Sequence, residues 1–165
     1  MRVQKDLTNI GTENNDKLTL VTWSDKFATN IDLIDKQHRE LVNLTNRLYQ
    51  TCLSRNENAV KEIFKEALSR LVEYVKFHFN AESELLKRIN YPEHLSHKKM
   101  HDELIENILK AVQDYNKGKQ YVPNTFVRTL KEWVFGHIAF HDKNYALYIA
   151  DQKRKGLLTD QQING

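Results

Sequence analysis

The sequence predicts an all-α chain: an up-down-up-down antiparallel four-helix bundle preceded by an N-terminal arm. Three observations predict it. Only five glycines and two prolines interrupt 165 residues, too few for a turn-rich sheet. Apolar residues recur at three- and four-residue intervals through four long stretches, the period of a helix with one buried face. The connections between those stretches are short, which makes successive helices antiparallel neighbours.

Residues 1–22 are polar and irregular and read as an arm with little core of its own. The helical domain is expected over 23–153 and a frayed tail over 154–165. The first helix starts near Ile31, with Thr29 and Asn30 as candidate caps. Its apolar stripe runs Ile31, Ile34, Leu41, Leu44, Leu48, with His38 inside it. A polar turn over Asn56 to Asn58 leads to a second helix carrying Phe64, Leu71, Val75, His78, Glu82 and Leu85. That helix ends at Asn90-Tyr91-Pro92, because proline disfavours helical geometry in the residue before it. The third runs from about Glu93 to Lys117 and is closed by Gly118. The fourth begins after Pro123-Asn124 and continues to about Lys153, before Gly156.

Composition narrows the function classes. Apolar content of 40% with 28% charged residues fits a soluble globular domain. A single cysteine, Cys52, excludes an internal disulfide and fits a reducing compartment. The opening MRVQKDLTNI has no apolar leader character, and no stretch approaches the roughly 18 apolar residues of a membrane span. A cytoplasmic protein without a membrane span is expected. The net charge of +3 is modest. Its tightest basic run, Lys153-Arg154-Lys155, sits at a helix end, where cations complement the helix dipole. No nucleic-acid partner is expected.

The chemistry-bearing pattern is a set of seven residues: His38; His78 with Glu82; His97 with His101; His137 with Asp142. It uses five of the chain's 7 histidines. Residues four apart return to nearly the same helix face, so His78/Glu82 and His97/His101 can each aim at one point. Alone, an HxxxH pair is as readily a surface or structural pair, and a histidine on an apolar stripe is ordinarily a hydrogen-bonded core residue. Their heights in the bundle change that reading. At 1.5 Å per residue, His38 lies roughly 10 Å from the start of its helix, and His97 and His101 roughly 6 and 12 Å from theirs. Glu82, His78 and Asp142 lie roughly 9, 15 and 15 Å from the ends of helices running the other way. All seven fall in one half of the bundle, a placement that lets four helices converge on two metal ions. Buried imidazoles and carboxylates without such partners are costly. One spacing departs from an ideal helix: His137 and Asp142 are five apart, about 140° around the axis, and the four-residue rule selects His141 instead.

Trp23 followed by IDLIDKQHREL, then HFNAE, YPEHLSHKKMH and WVFGHIAFHDKNY, together resemble the hemerythrins, in particular the single-domain bacterial ones, over roughly residues 20–150. The resemblance implies a non-haem di-iron centre that binds dioxygen reversibly, for storage, delivery or sensing, rather than an enzyme. It implies that His97, His101 and His137 hold one iron and His38 and His78 the other. Glu82, Asp142 and an oxo or hydroxo group would bridge the two. It also selects Asp142 over His141, which a π-type bulge in the fourth helix would permit. His141 and His94 are then solvent-facing or lie behind the ligands. The choice of iron rests on the resemblance alone, since imidazole and carboxylate also suit other metals.

The iron with two histidines would keep an open position for dioxygen beside a dry pocket, for which Phe79, Ile34, Leu41 and Val134 are candidates. Each is also ordinary bundle core. Related chains commonly carry leucine where Val134 stands. Tyr145 either hydrogen-bonds near the cluster or bridges core and surface, Trp23 and Trp133 read as core anchors, and Gly136 predicts a close neighbour beside His137. The alternative functions on this scaffold are a di-iron enzyme acting on peroxide or nitric oxide, and an iron-holding protein.

Overall fold

The computed structural model describes residues 19–53, 57–119 and 122–165, with backbone alone at 57–60 and 122. A 3₁₀ turn, Asp25–Phe27, precedes α1 (Asp32–Cys52), α2 (Glu57–Arg88), α3 (His94–Asn116) and α4 (Val122–Gly136). A π-helical turn, His137–Asp142, joins α4 to α5 (Lys143–Arg154), and a short α6 (Asp160–Asn164) follows. Dihedral angles stay helical on both sides of the π turn, at Gly136 (φ −64°, ψ −44°) and Lys143 (φ −62°, ψ −34°). The expected fourth helix is therefore one rod with a wide turn in its middle. α1 packs on α2 and α4, and α3 packs on the same two, the neighbour pattern of a closed four-helix bundle. No strand occurs among the described residues.

The helix ends have local causes. α2 stops where Asn90 enters the left-handed region (φ 51°) and the Tyr91 N–H reaches back to the Leu86 carbonyl (2.9 Å). Gly118 (φ 82°) and Gly156 (φ 72°) end α3 and α5 in the same way. The start of α1 differs from expectation. Ile31 occupies the cap position without a capping side chain, and Asp35 reaches backwards instead. Its carboxylate accepts from the Thr29 N–H (2.7 Å), the Thr29 hydroxyl (2.8 Å) and the Asn30 N–H (3.1 Å). An acid in the first turn also suits the positive end of the helix dipole.

Residues 1–18 of the expected arm, and Asn56 of the expected turn, lie outside the described residues; Glu57 and Asn58 already belong to α2. Where the arm is described it contributes to the core. Asn46 pins it by accepting from the Leu20 and Val21 N–H groups and donating to the Val21 carbonyl (2.8–3.0 Å), and Val21 is buried. The expectation of a frayed tail is corrected as well. Thr159 and Gln162 form a capping box that starts α6, and Ile163 is buried. Apolar periodicity cannot register a helix this short.

Two apolar clusters fill the bundle. The larger includes Leu41, Leu48, Phe64, Leu71, Val75, Phe79, Leu104, Leu130, Val134 and Ile138. The smaller, at the end where α6 docks, includes Ile31, Ile34, Leu85, Leu86, Tyr91, Tyr145, Ile149 and Ile163. Chain order shows what separates them. His38 stands between Ile34 and Leu41, Glu82 between Phe79 and Leu85, and Asp142 between Ile138 and Tyr145. The polar residues form one layer sandwiched by two dry ones.

Candidate metal centre

Each of the four rods contributes to that layer: α1 His38, α2 His78 and Glu82, α3 His97 and His101, and the π turn His137 and Asp142. None of the seven is more than 3% exposed. The π turn explains the five-residue spacing. A wider turn brings a residue five positions on, rather than four, back toward the same side, so Asp142 faces inward while His141 is exposed. His94, at the start of α3, lies 3.3 Å from the Ser83 hydroxyl through Nε2 and stays outside the layer. Gly136 has an ordinary helical φ, and a Cβ there would meet nothing within 4 Å. The expectation of a close neighbour is thus corrected.

The five imidazoles all turn Nε2 toward the two carboxylates. His101 Nε2 is 3.2 Å, and His78 and His97 Nε2 are 3.6 Å, from Glu82 Oε2. His38 Nε2 is 3.6 Å from Glu82 Oε1. Asp142 divides its oxygens: Oδ1 lies 3.0 Å from His137 and 3.4 Å from His97, while Oδ2 lies 3.2 Å from His38. The donor atoms form two overlapping sets, Glu82/His97/His101/His137/Asp142 and His38/His78/Glu82, each within 4.8 Å. Glu82 is common to both, and the oxygens of Asp142 point one to each side.

Most of these contacts lack hydrogen-bond geometry. Glu82 Oε2, both Asp142 oxygens, and Nε2 of His38 and His97 have no hydrogen-bond partner although buried. His101 and His137 bring their Nε2 atoms to 2.7 Å of each other. Buried polar atoms are normally satisfied, and here the unsatisfied lone pairs converge on one space. Imidazole nitrogen with carboxylate oxygen is a donor set for a first-row transition metal. The residues fit a metal site.

The electrostatics are consistent with that. Burial lowers His78 and His101 to about 4, so both are neutral and able to ligate. Burial also acts on His38, but the Asp142 and Glu82 carboxylates outweigh it and lift His38 to about 9. His97 is raised too, against burial, chiefly by Glu82. Burial disfavours charge on Asp142 and Glu82, yet the surrounding histidines hold Asp142 down to about 2 and Glu82 well below its usual range.

Around these nitrogen and carboxylate atoms stand groups that fix their orientation. The Tyr145 hydroxyl donates to Glu82 Oε1. Gln37 Oε1 lies 3.0 Å from His78 Nδ1; an amide oxygen only accepts, so Nδ1 carries the proton and Nε2 keeps its lone pair inward. The Tyr74 hydroxyl in turn donates to the Gln37 carbonyl (3.1 Å). Gln37 was missed by sequence reasoning, although a glutamine three residues after Ile34 on a buried stripe is a usable signal. Phe79 stacks on His101 (3.6 Å between ring centroids, 2° between planes) and Trp133 on His137 (4.3 Å, 12°). Trp133 is thus more than a core anchor. Of the expected pocket residues, Phe79, Leu41 and Val134 share the larger cluster, whereas Ile34 lies in the smaller one on the opposite side of the layer.

Known proteins carry the same arrangement of sequence and fold. A family model described as the hemerythrin HHE cation binding domain matches residues 29–148. The bacteriohemerythrin of Stenotrophomonas maltophilia is 30% identical over 129 residues, covering 78% of this chain and 81% of that one. That of Clostridium acetobutylicum is 32% identical over 133 residues, covering 76% and 98%. A crystal structure of wild-type hemerythrin superposes with a TM-score of 0.70 at 27% identity, covering 77% of this chain and 95% of the other. With a family model matched across most of the bundle and relatives aligned over three quarters of its length, this chain belongs to the hemerythrin family.

Proposed function

We propose that the chain binds dioxygen reversibly at a di-iron centre, with His97, His101 and His137 on one iron and His38 and His78 on the other. Glu82 and Asp142 would supply carboxylate oxygens to both. The observation that carries this reading is the buried convergence of five Nε2 atoms on two carboxylates, of which Glu82 Oε2 and both Asp142 oxygens have no hydrogen-bond partner. The family's members are known as oxygen-binding di-iron proteins. Two ferrous ions with an oxo or hydroxo bridge, when bound, supply the electrons that make dioxygen binding possible.

The chain's own residues supply the rest. With three histidines assigned to one ion and two to the other, the second would have room for a further ligand, as a ligand-binding metal requires. Gln37 holds His78 in the ligating tautomer, and Tyr145 holds one oxygen of Glu82. Phe79, Leu41 and Val134, with Trp133 over His137, form the apolar side of the layer, which limits the access of water. Among the described residues no helix is long and apolar enough to cross a membrane.

The test is metal analysis together with a visible spectrum of the reduced, iron-loaded protein before and after air, then after oxygen is removed. Two ions per chain and a colour that appears with air and fades on deoxygenation are expected. One ion per chain at full loading defeats the paired site, and a colour change that does not reverse favours an enzyme or an iron-holding role.

A further inference from the structure

The smaller apolar cluster is the floor of the carboxylate layer: Leu85 and Leu86 follow Glu82 by one turn, and Tyr145, which donates to Glu82, is part of it. At this end the floor is covered by α6. Five residues do not sustain a helix in isolation, because nucleation is unfavourable, so α6 exists through its anchors. Four are visible. The Thr159–Gln162 capping box secures its start. Lys153 Nζ binds Asp160 Oδ1 at 2.5 Å, tying it to the end of α5. Ile163 inserts into the cluster. At the far end Arg88, the last residue of α2, donates to the Gln162 carbonyl (2.7 Å) and the Ile163 carbonyl (2.9 Å). A cation there also meets the negative end of the α6 dipole. α6 lies outside the residues matched by the family model.

We propose that α6 and Arg88 act as a clamp that seals the carboxylate face of the metal centre against water, so that metal retention depends on a segment contributing no ligand. The proposal rests on the di-iron reading above. Ile163 and Arg88 are positioning residues: they hold the cluster closed over Tyr145, and Tyr145 holds Glu82. Opening the clamp lets water compete for the phenol and for the carboxylate, the first events of metal loss from this side.

The experiment uses the full chain loaded with ferrous iron under anaerobic conditions, challenged with excess bipyridine. Wild type is compared with Ile163→Asp, Arg88→Ala and a chain stopped after Gly156. A fourth variant, Leu48→Ala, lies in the larger cluster on α1, ten residues from His38, and is brought to the same loss of folded stability with mild denaturant. Iron release roughly tenfold faster in the clamp variants is expected, the scale set by losing one buried isoleucine's hold on a local opening. Amide hydrogen exchange should quicken at Leu85–Ile89 and Ala146–Ile149 and not around Leu48. Unchanged release in all three clamp variants overturns the clamp, as does equally fast release from Leu48→Ala, which would make the effect one of general stability. If wild type holds no iron, the di-iron reading fails on its own, and the exchange pattern alone decides whether α6 seals this end.

Discussion

Replacing Tyr145 by phenylalanine removes one oxygen and leaves the ring in place. Tyr145 and Glu82 are both fully buried, so no water replaces the lost donor at Glu82 Oε1. Burial and the Glu82 charge raise the Tyr145 phenol well above its usual value; it therefore stays a neutral donor throughout the working pH range. A hydrogen bond to a charged acceptor contributes about 1.5–3 kcal/mol, and the substitution adds almost no cavity cost because the ring volume is kept. We expect the metal-free protein to lose about 2 kcal/mol, which for a chain of this size lowers the thermal midpoint by about 4–8 °C. Groups that orient a metal ligand also tune affinity, typically 10–100-fold, so iron binding should weaken by about a factor of ten. Urea unfolding of the metal-free protein and competitive chelation of the loaded one measure the two effects. A stability change within about 0.5 kcal/mol, the range of an inconsequential surface substitution, together with unchanged affinity, refutes the claim that Tyr145 supports Glu82.

Asp142→Ala should disrupt binding of the iron pair and abolish reversible oxygenation, whereas His141→Ala should keep both metals and the oxygenated spectrum; the reverse outcome would show that the four-residue spacing governs after all. Val134→Leu should slow autoxidation at unchanged metal content, because one added methylene closes the apolar side of the layer, and equal or faster decay of the oxygenated spectrum in air removes Val134 from that role. The metal-free protein should be most stable near pH 6.5. His38, raised to about 9, contributes fully below 6.5 and progressively less as pH rises through 9. His78 and His101, lowered to about 4, contribute fully above 6.5 and less as pH falls toward 4. Denaturation at the three pH values tests this, and stability that rises monotonically across them contradicts it. Iron loading at neutral pH should release protons from His38 and His97, measurable with a weakly buffered indicator dye; loading without proton release contradicts their raised values.

Sequence alone determined the four rods, their order and the half of the bundle that carries the chemistry. Those properties depend on periodicity and spacing: Ile34, Leu41 and Leu48 mark one face of α1 whatever packs against it, and Asn90, Gly118 and Gly156 mark ends through local backbone geometry. Tertiary structure decided what depends on contacts between rods. His141 and Asp142 are equally good candidates by composition, and the π turn separates them by rotating one outward and the other into the layer. Gln37 acquires its role only because His78, on another helix, comes within 3.0 Å of its amide, and Trp133 only because its ring lies flat on His137. Ile34 and Leu41 stand about one turn either side of His38 yet fall on opposite sides of the polar layer, since periodicity marks the buried face of a helix and not which cluster lies along it. α6 was invisible for a related reason: a helix of five residues has too few positions to show a period, and its stability comes from the cluster under Ile163 and from Arg88, more than seventy residues away in the chain.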